Sequence, residues 1–278
     1  MQAEELLRQG RVAESLESLQ QQIRSDPANP KLRVFLFQLL SVVGQWERAL
    51  TQLNVSAELD PGSLLMAQVG RQAIACELLR KEVFAGKRSP MVFGKPAEWV
   101  GWLIQANQLT AEGKHDAAAD LRGRAFEAAP AVGGTLNGTA FEWVADADQR
   151  LGPVLEAVVD GRYFWVPLEH VRRIEIEKPT DLRDVVWAPA NLTWANGGTA
   201  VAFIPTRYPG TEGSADGALL LGRRTDWVEV AGADFATGLG QRMLATDAGE
   251  YPILEVREVV LNTAQAEAAG GGEVTANG

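Results

Sequence analysis

The sequence predicts an α+β chain: an array of helical hairpins over residues 1–130, then a mainly antiparallel β domain with minor helix over residues 131–263. Three observations carry this expectation. Glycine and proline recur at fixed spacing in the first half. From about residue 131 the apolar pattern changes from helical spacing to short runs broken by Asp-Gly and Asn-Gly. The charge is also divided unequally between the halves.

The repeat is read first. Gly10 and Gly44 are 34 residues apart, as are Pro27 and Pro61, and within each unit the glycine precedes the proline by 17 residues. Gly113 and Pro130 reproduce that separation. Aligned on glycine, the units read GRVAESLESLQQQIRSDP, GQWERALTQLNVSAELDP and GKHDAAADLRGRAFEAAP. Val12, Trp46 and His115 share one slot. Ser15, Ala49 and Ala118 share another, where a small residue lets two helices approach closely. A glycine turn, a helix and a proline stop form the second half of a tetratricopeptide-like unit. The first halves are LRVFLFQLL before Gly44 and WVGWLIQANQL before Gly113. Leu64 to Phe84 reads as one longer helix with no glycine at the expected place. Such hairpins share a core only when stacked, and the array is expected to leave a curved face free for another polypeptide. On the usual geometry that face would include Lys31, Val34, Gln38 and Ser41 in one unit, with Leu103 and Asn107 in another.

AAPAVGGTLNG, residues 128–138, marks the boundary between the halves. Beyond it, Asp160-Gly161 separates VLEAVV from RYFWV, a type I′ hairpin signal. Asn196-Gly197-Gly198 separates NLTW from TAVAFI, and Asp247-Ala-Gly249 separates QRMLAT from YPILEVREVVL. VRRIEIE alternates as a half-buried strand, and PTDLRDV is expected to form a helical turn capped by Thr180 or Asp181. GLGQRM reads as a turn. The small polar tail 264–278 is expected to be disordered.

Lysine plus arginine and aspartate plus glutamate balance at 15 each over residues 1–130, so the remainder carries the whole net charge of −10. That argues against nucleic acid and anionic membrane as partners. No apolar run reaches the ~20 residues that span a bilayer, and no signal peptide is read at MQAEELLRQGR. The single cysteine, Cys76, sits in a helical pattern and reads as core. These features fit a cytoplasmic location.

The strongest catalytic-looking cluster is Glu142, Asp146 and Asp148 in EWVADADQR. Three close carboxylates could bind a hard divalent cation or work as an acid–base pair, the chemistry of a metal-dependent hydrolase or transferase. A structural role, with an arginine such as Arg150 as partner, is the favoured reading. His115 and His170 fall in different halves, so no zinc pattern forms and no nucleophile–base pair is expected. No Walker loop is present, and no cofactor is expected. The tryptophans read mainly as core, and IPTRYPG reads as a stiff loop around Arg207 and Tyr208.

With those residues in view, the chain resembles the ImpE/TagJ (SciE-like) family of type VI secretion accessory proteins. The matching words are RVFLFQLLSVVGQWERALTQL, FEWVADADQRLGPVLE, GRYFWVP, RDVVW, IPTRYPG, RRTDW and GQRM, in order over residues 5–262. The resemblance implies a cytoplasmic, non-enzymatic component that recognises a helical segment of the small sheath subunit (TssB/VipA class). It further implies a link to sheath assembly or to recycling by the ClpV-class ATPase. No catalytic motif of the family transfers to Asp146 or Asp148.

Overall fold

The computed structural model describes residues 2–263; the tail expected at 264–278 lies outside them. Seven helices fill the first half: α1 (Gln2–Arg8), α2 (Val12–Ser25), α3 (Pro30–Val42), α4 (Trp46–Leu59), α5 (Leu64–Phe84), α6 (Glu98–Ala111) and α7 (His115–Ala128). Gly10, Gly44 and Gly113 adopt φ of +77°, +66° and +74°. Each follows the first helix of a hairpin, and the amide after it reaches back across the turn: Arg11 to the Leu6 carbonyl at 2.8 Å, Gln45 to Leu40 at 2.9 Å, Lys114 to Leu109 at 2.9 Å. This is a Schellman stop, which needs a left-handed residue at that place. Thus the 34-residue glycine period marks where each first helix ends. Ser15, Ala49 and Ala118 are fully buried between paired helices. α5 runs through the position where glycine would recur and stops at Gly86 by the same device, with the Lys87 amide donating to the Glu82 carbonyl at 3.0 Å.

A two-residue strand, β1 (Met91–Val92), lies between α5 and α6 and pairs in parallel with β6 of the second half. The second half then supplies β2 (Gly134–Leu136), β3 (Thr139–Phe141), β4 (Val144–Asp146), β5 (Val154–Val159), β6 (Arg162–Pro167), β7 (Val171–Ile176), β8 (Trp187–Trp194) and β9 (Thr199–Pro205). After a short α8 (Gly217–Leu220) come β10 (Thr225–Glu229), β11 (Ala236–Gly240), β12 (Met243–Thr246), β13 (Gly249–Pro252) and β14 (Glu258–Leu261). They form a nine-stranded sheet in the order β1-β6-β5-β9-β8-β7-β14-β2-β3, a three-stranded sheet β13-β12-β4 and the hairpin β10-β11. Apart from β1–β6, every pairing of named strands is antiparallel.

Asp160 and Gly161 both take positive φ, 49° and 71°, and close the β5–β6 hairpin as a type I′ turn. Asn196–Gly198 joins β8 to β9, and Asp181 caps the short 3-10 turn Leu182–Val185. Two expectations need correction. YPILEVREVVL is no single strand: a 3-10 turn at Ile253–Glu255 follows Pro252, which has no amide to donate, and β14 crosses to the large sheet. Nor is GLGQRM a turn. Gly238 and Gly240 end strand β11, where a Cβ on Gly238 would stand 2.1 Å from the Tyr208 ring. Those glycines answer to packing.

Alternation along β5 explains how the halves join. All six of its residues are buried. Leu155, Ala157 and Val159 face the inner core of the β half, while Val154 and Val158 face α5, α6 and α7 together with Tyr163 and Trp165 of β6. A further core gathers α1–α5 around Val186, Trp187, Leu220 and Leu221. Helices and sheet therefore share two apolar cores.

Candidate functional site

The same alternation turns Glu156, in the middle of β5, toward the helices, where its side chain is fully buried. A bare carboxylate there would cost several kcal/mol, so it must be paired. Arg80 of α5 donates to it from Nε at 2.7 Å and from Nη2 at 2.9 Å. Arg242 Nη2 and the Tyr163 hydroxyl donate as well, and Trp165 Nε1 donates to the Tyr163 oxygen at 2.8 Å. Arg242, itself fully buried, also donates to Asp146 Oδ2 at 2.6 Å and to the Pro205 carbonyl at 2.9 Å. Asp146 Oδ1 accepts from Tyr208 at 3.0 Å and from the Asp148 amide at 2.9 Å. Two guanidinium groups thus link Glu156 and Asp146 in a chain between α5 and both sheets, with Glu77 of α5 also beside Arg80 at 3.4 Å.

The electrostatics follow the pairing. Burial alone would lift Glu156, but the Arg80 and Arg242 guanidinium groups bring its carboxyl down to about 2. For Asp146 burial prevails over Arg242, and the carboxyl is pushed up to about 6. Burial also lifts the Tyr163 and Tyr208 phenols well above their ordinary value. Neither phenol ionises near neutrality, so both act as hydrogen-bond donors to the carboxylates.

Arg207 makes the second joint. Its Nη1 donates to the Val42 carbonyl at 2.7 Å and the Leu220 carbonyl at 2.6 Å, and its Nη2 reaches the Ser41 carbonyl at 3.4 Å. The last carbonyls of α3 and α8 have no partners within their helices, and a cation suits both helix ends. Burial draws the Arg207 guanidinium down to about 10.

This geometry corrects the acidic-site expectation. Asp146 is spent on Arg242 and Tyr208. Asp148 takes Arg150 at 2.6 Å and the Gly238 amide at 2.8 Å. Glu142 is exposed, and none of the ion pairs described includes it. Among the described residues no group of three His, Cys, Asp or Glu is placed to hold a metal ion.

The expectation of an open hollow is corrected for four residues of the six. Gln38 is buried and donates to Asp181 Oδ1 at 3.2 Å. Ser41 is buried under Arg207. Leu103 is fully buried in the core shared with Val154 and Trp165. Asn107 is buried and donates to the Arg150 carbonyl at 2.7 Å. Residues of the protein's own β half cover these four positions. Lys31 and Val34 remain accessible, lining a hollow of about 220 Å³ with Pro30, Asp60 and Ser63. Near the α4–α5 turn, Leu59, Leu64 and Leu65 are exposed, Leu65 by 73%.

A larger apolar cavity, about 360 Å³, opens where α7 meets the second half. Phe126, Pro130, Ala131, Trp143, Ala145 and Pro153 are among its walls. The Phe126 ring rests on Gly152, whose φ is +52° and where a Cβ would lie 2.4 Å from the ring. Trp143 is 42% exposed, against near-complete burial of Trp165 and Trp187. Sequence reasoning missed this cavity and missed Arg242. The cavity joins residues about twenty apart across the boundary segment, while Arg242 sat inside a presumed turn.

The comparisons with known proteins match this architecture. A family model described as a tetratricopeptide repeat covers residues 6–69, and one described as ImpE protein covers residues 138–260. The type VI secretion system accessory component TagJ of Pseudomonas aeruginosa is 52% identical over 257 residues, covering 92% of this chain and 90% of that protein. A Vibrio parahaemolyticus protein solved by X-ray crystallography superposes with a TM-score of 0.86 at 28% identity, covering 94% of this chain and 97% of that one.

Proposed function

The chain belongs to the ImpE/TagJ family of type VI secretion accessory proteins, and we propose that it acts as a non-enzymatic cytoplasmic adaptor gripping a helical segment of the small sheath subunit (TssB/VipA class). Through that contact it assists sheath assembly or recycling by the ClpV-class ATPase. The observation that carries this reading is how the molecule divides its chemistry. Of the four buried carboxylates among the described residues of the β half, Asp146, Asp148 and Glu156 are spent on internal arginines, and Asp184 accepts the Thr180 and Asp181 amides at 2.9 Å. Large apolar side chains meanwhile stand exposed at the α4–α5 turn and at Trp143. An acid–base or metal mechanism needs carboxylates free to change partner; an adaptor needs apolar surface. No helix among the described residues is long and apolar enough to cross a membrane.

Isothermal titration of the full chain with the purified small sheath subunit, and with overlapping peptides spanning it, tests the proposal. Saturable heat with the subunit and with one helical peptide is expected. Absence of heat with the subunit and every peptide would overturn it.

A further inference from the structure

We infer that the partner seats on the cavity beside Trp143, continued by the outward face of the β13–β12–β4 sheet, and that its docking segment carries lysines or arginines around a large apolar side chain. The inference rests on the adaptor reading and adds to it a place and a charge.

The place follows from alternation. In β4 and β12 the residues Val144, Asp146, Leu244 and Thr246 turn inward and are buried, while Ala145, Met243 and Ala245 turn outward and stay partly exposed. Ala145 lies opposite Ala245, and Ala245 opposite Glu250, so the three side chains share one face. Alanines on that face let a helix backbone come close. At its edge the Trp143 ring and the Phe126 wall frame a pocket for one anchoring side chain, with Phe126 held by Gly152. An aromatic beside an open, pre-formed apolar pocket is the arrangement that concentrates binding energy.

The charge follows from what rims that face. Asp247 Oδ1 accepts the Glu142 amide at 2.7 Å, which sets its carboxylate beside Trp143. Glu142 is the exposed sequence neighbour of Trp143, and Glu250 stands two strands from Ala145, about 10 Å by strand spacing. Among the described residues none of these three carboxylates has a lysine or arginine partner. They belong to the half that carries the whole net charge of −10. An acidic rim around an apolar seat selects a basic-flanked apolar segment and repels a second copy of this acidic chain.

The test places a photo-crosslinking amino acid at position 143 of the full chain, with position 201 on β9 as an exposed control, and uses the purified small sheath subunit as probe. Crosslinks from 143 and none from 201, mapping to a sheath segment with flanking lysines or arginines, are expected. Trp143→Ala should weaken binding about tenfold or more, and Glu142→Lys with Glu250→Lys should weaken it further, without loss of thermal stability. Subunit binding that survives these variants, as does a crosslink to a second copy or to residues 264–278, overturns the inference and leaves the adaptor reading standing. A mapped segment without basic flanks overturns the charge assignment. Absence of both crosslinks and titration heat overturns the adaptor reading and this inference with it.

Discussion

Replacing Glu156 by glutamine removes a charge while nearly keeping shape, and it leaves Arg80 and Arg242 buried around a neutral amide. Two independent lines size the cost. Interaction with the arginines brings the carboxyl from its ordinary 4.5 to about 2, and at about 1.4 kcal/mol per tenfold in proton affinity this is about 3 kcal/mol. Removing one partner of a buried ion pair costs about 3–5 kcal/mol. For a chain of this size a loss of about 3 kcal/mol lowers Tm by roughly 6–12 °C. The assay is a pair of thermal and urea melts at neutral pH, repeated toward acid. Because the folded carboxyl lies below its unfolded value, the contribution is complete above about 4.5 and is lost as pH falls through about 2. The wild-type chain should lose its advantage over Glu156→Gln in that window. Equal melting of the two at neutral pH, or a gap that widens toward acid, would refute the reasoning.

Three further outcomes are expected. Arg207→Ala strands the carbonyls of Ser41, Val42 and Leu220, and urea unfolding should show a loss of about 2–4 kcal/mol, part of it offset by no longer burying a cation. Gly217→Ala drives a Cβ to 1.8 Å from the Gly10 carbonyl oxygen; a loss of about 2–3 kcal/mol is expected in the same assay. Cys76 is buried, and burial pushes its thiol from 9.0 up to about 11, so a thiol reagent at pH 8 should label it at least about a hundredfold more slowly in the folded than in the urea-unfolded chain.

The helical half was legible because its punctuation is local. A left-handed stop admits glycine almost alone, so Gly10, Gly44 and Gly113 announced three helix ends without knowledge of the tertiary structure. Asp160-Gly161 was legible for the same reason. The joints between the halves were not. Arg80 and Glu156 stand 76 residues apart, Arg242 and Glu156 86 apart, and one sequence holds no sign that such residues meet. The closed hollow did leave a trace that spacing arguments passed over. From Leu36 to Val42 every residue of α3 is buried, and a helix apolar all round must be covered all round. Reading Gln38 and Ser41 as a free face required α3 to be amphipathic, and RVFLFQLLSV is not. At the acidic cluster, the expectation of an arginine partner for the aspartates fits Asp148 and Arg150. For Asp146 the partner is the distant Arg242.

Hydrogen exchange of the full chain, alone and saturated with the purified small sheath subunit, tests most directly whether the closed molecule docks its partner on an outer surface. Protection should grow in residues 126–131, 142–146 and 243–252, while the amides around Gln38, Ser41 and Asn107 exchange at the same rate in both samples. Faster exchange at those amides on binding, with no protection around Trp143, would mean that the β half swings away to yield the hollow to the partner, contrary to this account.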